Sequence, residues 1–376
     1  MNHQFTKVTH KGYFSRILDS FFGIFVGILL FLISFPFLYW NEGRVNLSLV
    51  AKTAYEIRTE ESYPQEYEGK LGAVSGTLLS EETLGDIFFQ EGNYIALERK
   101  VEMYAWEEEK QTKTETNRGG SETQETTFTY KKIWTPRPQN SAHFEYPKNH
   151  ENPELPLPSQ TLSVKNASIG KYKTDMKNLI LPEKNILLLT PENTITDETT
   201  QLSNSQFLFQ GKGTLSAPEI GDIRISYLGR ENPLENITVF GKFQKDSLNP
   251  FYTENNTLLY RAFEGTKDSG VALLAKEHSF LTWMLRIVGF LLMFIGLTLI
   301  FEPISVFLDI LPFFGSMSRT GIGILLFAVA LLLTVLTILF SLIIQNFYAL
   351  LILLLVLFGG SVWYMRRHSD LTEESL

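Results

Sequence analysis

An acidic chain of 376 residues, with 33 Lys+Arg against 41 Asp+Glu and no cysteine, excludes several functions at once. Disulfides, thiolate metal sites and cysteine nucleophiles are ruled out. Residues 45–280, with 25 basic and 34 acidic side chains, lack the basic face that nucleic acid requires.

Four apolar runs place the chain in a membrane: Phe21–Trp40, Leu281–Phe301, Ile322–Ile344 and Phe347–Met365. Each is long enough as a helix to cross a hydrocarbon core of about 30 Å. The pattern predicts an α-helical membrane protein with four transmembrane helices and a large β-rich (α+β) extracytoplasmic domain. In chain order this gives a cytoplasmic N-terminus (1–20), a first span acting as an uncleaved signal-anchor (21–40) and the β-rich domain (41–280). A second span (281–302), an interfacial amphipathic helix with a cytoplasmic loop (303–320), a third span (321–344), a fourth (347–365) and a cytoplasmic tail (366–376) follow.

The first run has no small-residue cleavage site, and Tyr39 and Trp40 suit an aromatic belt. Gly23 and Gly27 form a small-xxx-small pair that can seat another helix. Asn41, Glu42, Gly43 and Arg44 then mark the junction of span and domain, with Arg44 placed to reach a domain acid or a carbonyl. Gly43 reads as a turn with positive φ or as a point of close backbone approach.

Within the domain, Leu71–Leu79, Tyr94–Trp106 and Thr126–Trp134 read as strands, with 101–109 and 126–134 as the arms of a long hairpin whose charged, solvated tip falls within 107–125. Residues 135–160 are proline-rich and form no regular element. A short helix is expected over Thr174–Leu181, and further strands up to Thr257–Glu264. His143 and His150 lie in the proline-rich stretch without carboxylates at metal spacing, and read as surface or cap residues. Gly211-Lys212-Gly213-Thr214 lacks the spacing of a phosphate loop and reads as a turn. No catalytic, metal or cofactor-binding residues are expected.

Leu281–Phe314 is too long for one straight span, so a break is expected at Glu302-Pro303. Residues 304–314 then lie in the interface, with Glu302, Pro303, Asp309 and Pro312 as interfacial candidates. Lys7, Lys11 and Arg16, then Arg319, then Arg366 and Arg367 fall on one side of four spans, the cytoplasmic side. The domain is then periplasmic or external in a prokaryote and lumenal in a eukaryote.

Several stretches together resemble the transmembrane protein 43 (LUMA) family. They are Asn41-Glu42-Gly43-Arg44, Val101-Glu102-Met103-Tyr104-Ala105-Trp106-Glu107, Tyr130-Lys131-Lys132-Ile133-Trp134, His150-Glu151-Asn152-Pro153, Gly221-Asp222-Ile223-Arg224-Ile225-Ser226-Tyr227, and the spacing Trp283, Arg286, Gly289, Phe294, Gly296. Glu102, Tyr104, Trp106, Asp222 and Arg224 are the domain's motif candidates. After the second span only Asp309 and Pro312 match. The resemblance implies four-span proteins of the endoplasmic reticulum and inner nuclear membrane that self-associate and organise complexes with emerin and lamins, without known catalytic residues.

The combined expectation is a non-enzymatic integral membrane scaffold, whose partners are the lipid bilayer, further copies of itself and other membrane proteins. The competing reading is a membrane-anchored sensor or carrier that binds a lipid or small ligand in the extracytoplasmic domain. An enzyme ranks third.

Overall fold

The computed structural model describes the chain from His3 to Ser361, apart from residues 60, 62, 64, 118–119, 309–314, 347–349, 353, 357 and 360. It begins with strand β1 (Gln4–Lys11), helix α1 (Tyr13–Glu42) and a short helix α2 (Leu47–Lys52), capped by the Asn46 side chain on the Ser48 amide. Strands β2 (Tyr55–Arg58), β3 (Leu71–Leu79), β4 (Leu84–Asp86), β5 (Phe89–Gly92), β6 (Tyr94–Thr116) and β7 (Glu122–Thr135) follow. Next come β8 (Gln160–Ser163), β9 (Asn166–Ile169), β10 (Tyr172–Asp175), β11 (Asn185–Ile186), β12 (Thr200–Leu202), β13 (Leu208–Gln210) and β14 (Ile223–Glu231). The last strands are β15 (Leu234–Gln244), β16 (Ser247–Asn249), β17 (Phe251–Tyr252), β18 (Leu258–Leu259) and β19 (Arg261–Glu264). Helices α3 (Lys267–Leu308) and α4 (Gly315–Gln345) complete the described elements.

Two compact units result. One holds residues 1–8, 46–113 and 125–277; the other holds 9–45, 114–124 and 278–376.

The first unit is β-rich and contains two large sheets. In one, β15, β16, β10, β9 and β3 pair in turn, and β3 returns to β15, so the pairing closes into a ring. Closure leaves these strands without open edges, which suits a domain with no disulfide to brace it. Val74, Leu78, Ile169, Tyr172, Val239, Phe243, Leu248 and Tyr260 fill the core, each buried aliphatic or aromatic side chain contributing roughly 1.5–3 kcal/mol. The other sheet runs β1-β7-β6-β14-β13-β12, with β8 beside β6 and β11 beside β14.

Alternation along β6 places Leu97, Val101 and Met103 in a second core with Ile223, Ile225 and Tyr227. The same period carries Arg99 inward, where it is nearly fully buried. Its guanidinium donates to both Asp86 oxygens at 2.6–2.7 Å, and the Tyr227 hydroxyl donates to the same carboxylate at 2.6 Å. The network satisfies charges that would otherwise be costly to bury. Burial, reinforced by the Asp86 carboxylate, pushes the Tyr227 hydroxyl far above its ordinary pKa.

Strand Leu71–Leu79 lies where the sequence pattern puts it. Other expectations need correction. The hairpin arms run on to Thr116 and from Glu122, because threonine and alternating charges favour a two-sided polar ribbon over a loop. Thr174–Leu181 is not helical: Tyr172–Asp175 is a strand, and the Asp175 side chain then accepts from the Lys177 amide in a turn.

Residues 4–11 are a strand, which the sequence pattern did not predict. They form a strand beside β7; the Tyr130 amide donates to the His3 carbonyl at 2.9 Å, and Lys7 pairs with Glu145 at 2.5 Å. Strands hydrogen-bonded in one sheet are expected to share a compartment, so β1 and β7 should lie on the same side of a bilayer.

The second unit contains helices. Among the described residues, three are long and apolar enough to cross a membrane: 13–52, 267–307 and 320–345. Helix α3 passes straight through Pro303 to Leu308 and does not break at Glu302-Pro303. A proline removes one backbone bond and bends a helix, yet packing on neighbouring helices can carry it through. Asp309, Pro312 and the rest of 309–314 lie outside the described residues, as does much of the fourth run; its described positions between 350 and 361 are helical.

Helices α1 and α3 are antiparallel and meet at glycines. A Cβ on Gly27 would stand 2.7 Å from the Gly296 carbonyl, and one on Gly296 would stand 2.7 Å from the Phe31 nitrogen. The Gly23/Gly27 pair therefore seats α3.

The sheet pairing is testable with introduced cysteines, since the chain has none. Thr6→Cys and Glu125→Cys are expected to react with a membrane-impermeant maleimide from the same side of sealed vesicles. Labelling from opposite sides would mean that β1 and β7 do not pair.

Candidate functional site

The junction residues converge on α3. Glu42, the last residue of α1, has a side chain only 2% exposed and receives a two-pronged contact from Arg286: Nε to Oε1 at 2.8 Å and Nη2 to Oε2 at 2.7 Å. The planar fork of arginine matches a carboxylate in this way, and lysine could not reproduce it. The same guanidinium lies 4.9 Å from the Trp283 ring centroid.

Asn41 is buried, and its amide donates to the Thr282 carbonyl at 3.1 Å. Arg44 donates to the Thr282 hydroxyl at 3.2 Å, which itself donates to the His278 carbonyl. Gly43 closes α1 with φ −87°, so it is not a positive-φ turn. Its reason is space: a Cβ there would come within 3.1 Å of Gln345, whose side chain donates to the Tyr39 carbonyl at 2.8 Å. The four residues thus fasten α1 to α3, with Gln345 of α4 alongside. Arg44 is given an α3 hydroxyl in place of the expected domain acid.

At the N-terminal end of α1 a second polar group gathers. Arg16, 6% exposed, pairs with Glu122 at 2.8 Å and donates to the Gly120 carbonyl. It lines a cavity of about 190 Å³ with Glu122, Glu302 and Ser305 on the polar side, and Val306, Ile322 and Leu326 among its apolar residues. Glu302 is thus part of a cavity wall, and Pro303 lies buried within α3.

The motif residues of the β-rich unit are built into its sheet. Glu102 faces Arg224 across β6 and β14 and accepts from it at 2.8 Å, while the Arg224 guanidinium lies over Trp134 and Phe207. Asp222 is buried and accepts the amides of Lys212, Gly213 and Glu219 at 2.7–3.1 Å. It therefore holds the 212–219 turn in place of an anion. Tyr104 exchanges backbone bonds with Gly221 and Asp222, and Trp106 does so with the Asn152 side chain.

His150 is not a surface or cap residue. It is 3% exposed, stacked on Tyr130 at 3.9 Å and edge-on to Trp106. Its Nδ1 lies 3.0 Å from the Tyr146 carbonyl, to which it donates, and its Nε2 lies 3.1 Å from His3 Nδ1. Pro147 and Pro153 flanking it shape an ordered strap, so proline content concealed a buried ring.

Sequence reasoning noted Arg16 only as a charge before an apolar run and Arg286 only as one position of the family spacing. The signal for the second was present: a lone acid just after one run and a lone base just inside another. Nothing in the local pattern joins Arg16 to Glu122, 106 positions away.

Comparison with known proteins gives a consistent picture. A family model described as Transmembrane protein 43 matches residues 103–347. The chain is 28% identical to mouse Transmembrane protein 43 over 359 residues, covering 89% of this chain and 87% of the mouse protein. It is 28% identical to the human protein, covering 88% and 86% of the two chains. It is 29% identical over 290 residues to the Drosophila melanogaster Transmembrane protein 43 homolog, covering 72% and 74%. No solved structure matches.

Two outcomes test this geometry. Glu42→Ala and Arg286→Ala each strand a buried charge and are expected to cost roughly 3–5 kcal/mol, while replacing both with leucine costs less than the sum. Denaturant unfolding of the purified chain in detergent measures the cycle.

The second outcome concerns His3. Desolvation lowers its pKa from 6.5, with His150, the N-terminus and Lys132 adding to the effect. A base with a depressed folded pKa favours folding above its unfolded value and loses that contribution as pH falls below about 6.5. The protection factors of the amides in residues 4–8, taken against the intrinsic exchange rate at each pH, are therefore expected to fall between pH 7.5 and 5.5, and His3→Phe to flatten the dependence.

Proposed function

The chain belongs to the transmembrane protein 43 family, and from that premise we propose that it is a non-enzymatic integral membrane scaffold that self-associates and organises other membrane proteins. The observation that carries this reading is the use made of the residues on which the family resemblance rests. Asn41, Glu42 and Arg44 fasten one apolar helix to another, and Glu102, Arg224 and Asp222 fasten strands and a turn. Side chains with the chemistry to catalyse are occupied in holding a rigid framework. The helices meanwhile present broad apolar faces, such as Phe22, Phe25, Leu29 and Leu32 of α1, suited to lipid and to other spans.

A second reading, a carrier or sensor of a lipid or small ligand in the β-rich domain, has one observation in its favour. A cleft of about 560 Å³ is lined by Tyr94, Ile186, Leu188, Arg230 and Leu234 among others, a size that suits a small ligand.

The deciding experiment purifies the full chain in mild detergent, transfers it to lipid nanodiscs and combines mass photometry with crosslinking mass spectrometry. The scaffold reading expects dimers or larger assemblies, with crosslinks to the same chain and to other membrane proteins. A strict monomer with no protein neighbour and a retained lipid or metabolite would favour the carrier and overturn the scaffold.

A further inference from the structure

In the sheet that begins with β1, strand β11 pairs with β14 alone among the described residues. The Leu187 amide donates to the Tyr227 carbonyl at 2.9 Å, and Asn185 stands opposite Gly229. The alternation of an antiparallel pair then turns the N–H and C=O of Ile186 away from β14, toward an edge that no described strand occupies. Ile186 and Leu188 lie two positions apart on one face of this edge, 63% and 64% exposed. An open edge of this kind is a template for one more strand.

The edge borders the cleft of about 560 Å³, with Ile186, Leu188 and Leu234 on its apolar side and Tyr94, Arg230 and Glu231 on its polar side. Arg230 is only 9% exposed; its Nη2 meets Glu264 at 2.8 Å, while its Nε is buried without an acceptor. A guanidinium carries five N–H groups, so donors remain for the cleft. The register of β14 on β6 shifts between Arg230 and Glu231, and a bulge of this kind re-aims the side chain beside it. Glu264 already balances the guanidinium and Glu231 stands in the same wall, so charge complementarity favours an uncharged occupant over an anion. The site lacks an acceptor, and an amide carbonyl supplies one.

We propose that this cleft holds an extended, uncharged segment of a partner protein, added to the sheet as a strand beside β11. Main-chain groups of the segment pair with the N–H and C=O of Ile186, its alternate aliphatic side chains lie on Ile186, Leu188 and Leu234, and one of its carbonyls accepts from Arg230. In this mode main-chain pairing supplies the affinity and the cleft selects the side chains. That the occupant is a protein rests on the scaffold reading. A free lipid or metabolite would meet Arg230 and the aliphatic wall but leave the edge of β11 unpaired.

The test uses the full chain in nanodiscs and a pool of capped, uncharged heptapeptides with valine, isoleucine or leucine at alternate positions and serine or threonine between, each carrying a diazirine. Two further probes are the same pool with alternate amides N-methylated, which cannot pair as a strand, and a diazirine fatty acid. Labelling of fragments containing 185–188 and 229–234 is expected to be about tenfold or more stronger with the unmethylated pool than with either, the scale of one or two hydrogen bonds. Ile186→Pro removes only an outward N–H, and Leu188→Asp alters an exposed side chain, so both should keep the parent's thermal unfolding and bring labelling down to the N-methylated level. Arg230→Lys, which keeps a charge beside Glu264, should lower labelling severalfold. Absence of labelling at these fragments would overturn the proposal. So would equal labelling by the methylated pool, stronger labelling by the fatty acid, or labelling that survives both Ile186→Pro and Leu188→Asp. The scaffold is judged separately, by assembly size and crosslinks, so either can fail without the other.

Discussion

A carboxylate that is almost wholly buried must be paired, and in the helical unit the pairing of Glu42 with Arg286 decides how the helices lie. Two parallel hydrogen bonds fix rotation as well as distance, so the end of α1 has one permitted azimuth against α3. Everything along the contact then follows from that setting. Asn41 reaches the Thr282 carbonyl, Leu38 packs over Gly289, and Gly27 meets Gly296 backbone to backbone. Between helices whose outer surroundings are as apolar as their side chains, burial of hydrocarbon supplies little preference for one register. Close glycine contact supplies the attraction and the ion pair supplies the register.

The β-rich unit solves a different problem. Its chain has no cysteine, so cohesion comes from closure of the strand ring and from buried charge networks whose carboxylates meet their donors. Asp86, Arg99 and Tyr227 illustrate the rule that a polar group is tolerated inside when its partners arrive with it. Asp222 shows the same logic on a loop: three amides converge on one carboxylate, which makes the 212–219 turn a structural feature of the sheet edge.

How much of this was legible depends on the range over which each cause acts. Alternation is local, so β3 and the inner parts of β6 and β7 stand where the period put them, and the apolar runs are unmistakable. Pairing is not local. The segment Gln4–Lys11 looks like an ordinary basic leader, and only the long edge of β7 turns it into a strand. The bond between the Tyr130 amide and the His3 carbonyl joins segments 127 positions apart, which no local pattern reveals. Pro303 misled for the opposite reason: its effect is local and real, but α3 is held on both sides of it, by Gly23 against Leu299 and by buried Val306. The junction motif was visible as a motif, and its partner was not, because Arg286 lies 244 positions away.

The placement of charge along α1 sharpens the physical picture. Arg16 and Glu42 are 26 residues apart, about 39 Å along a helix, while a hydrocarbon core is about 30 Å thick. One ion pair thus stands at each end of the helix, outside the stretch where the glycines bring α1 and α3 together. The stretch between them contains no Asp, Glu, Lys, Arg or His after Asp19, and there the glycines bring the helices together. Charge sets the ends, close contact sets the middle, and neither arrangement leaves an unpaired ion in hydrocarbon. The cavity at the Arg16 end is where this separation is least complete, since Glu302 adds an acid at a level where aliphatic walls begin.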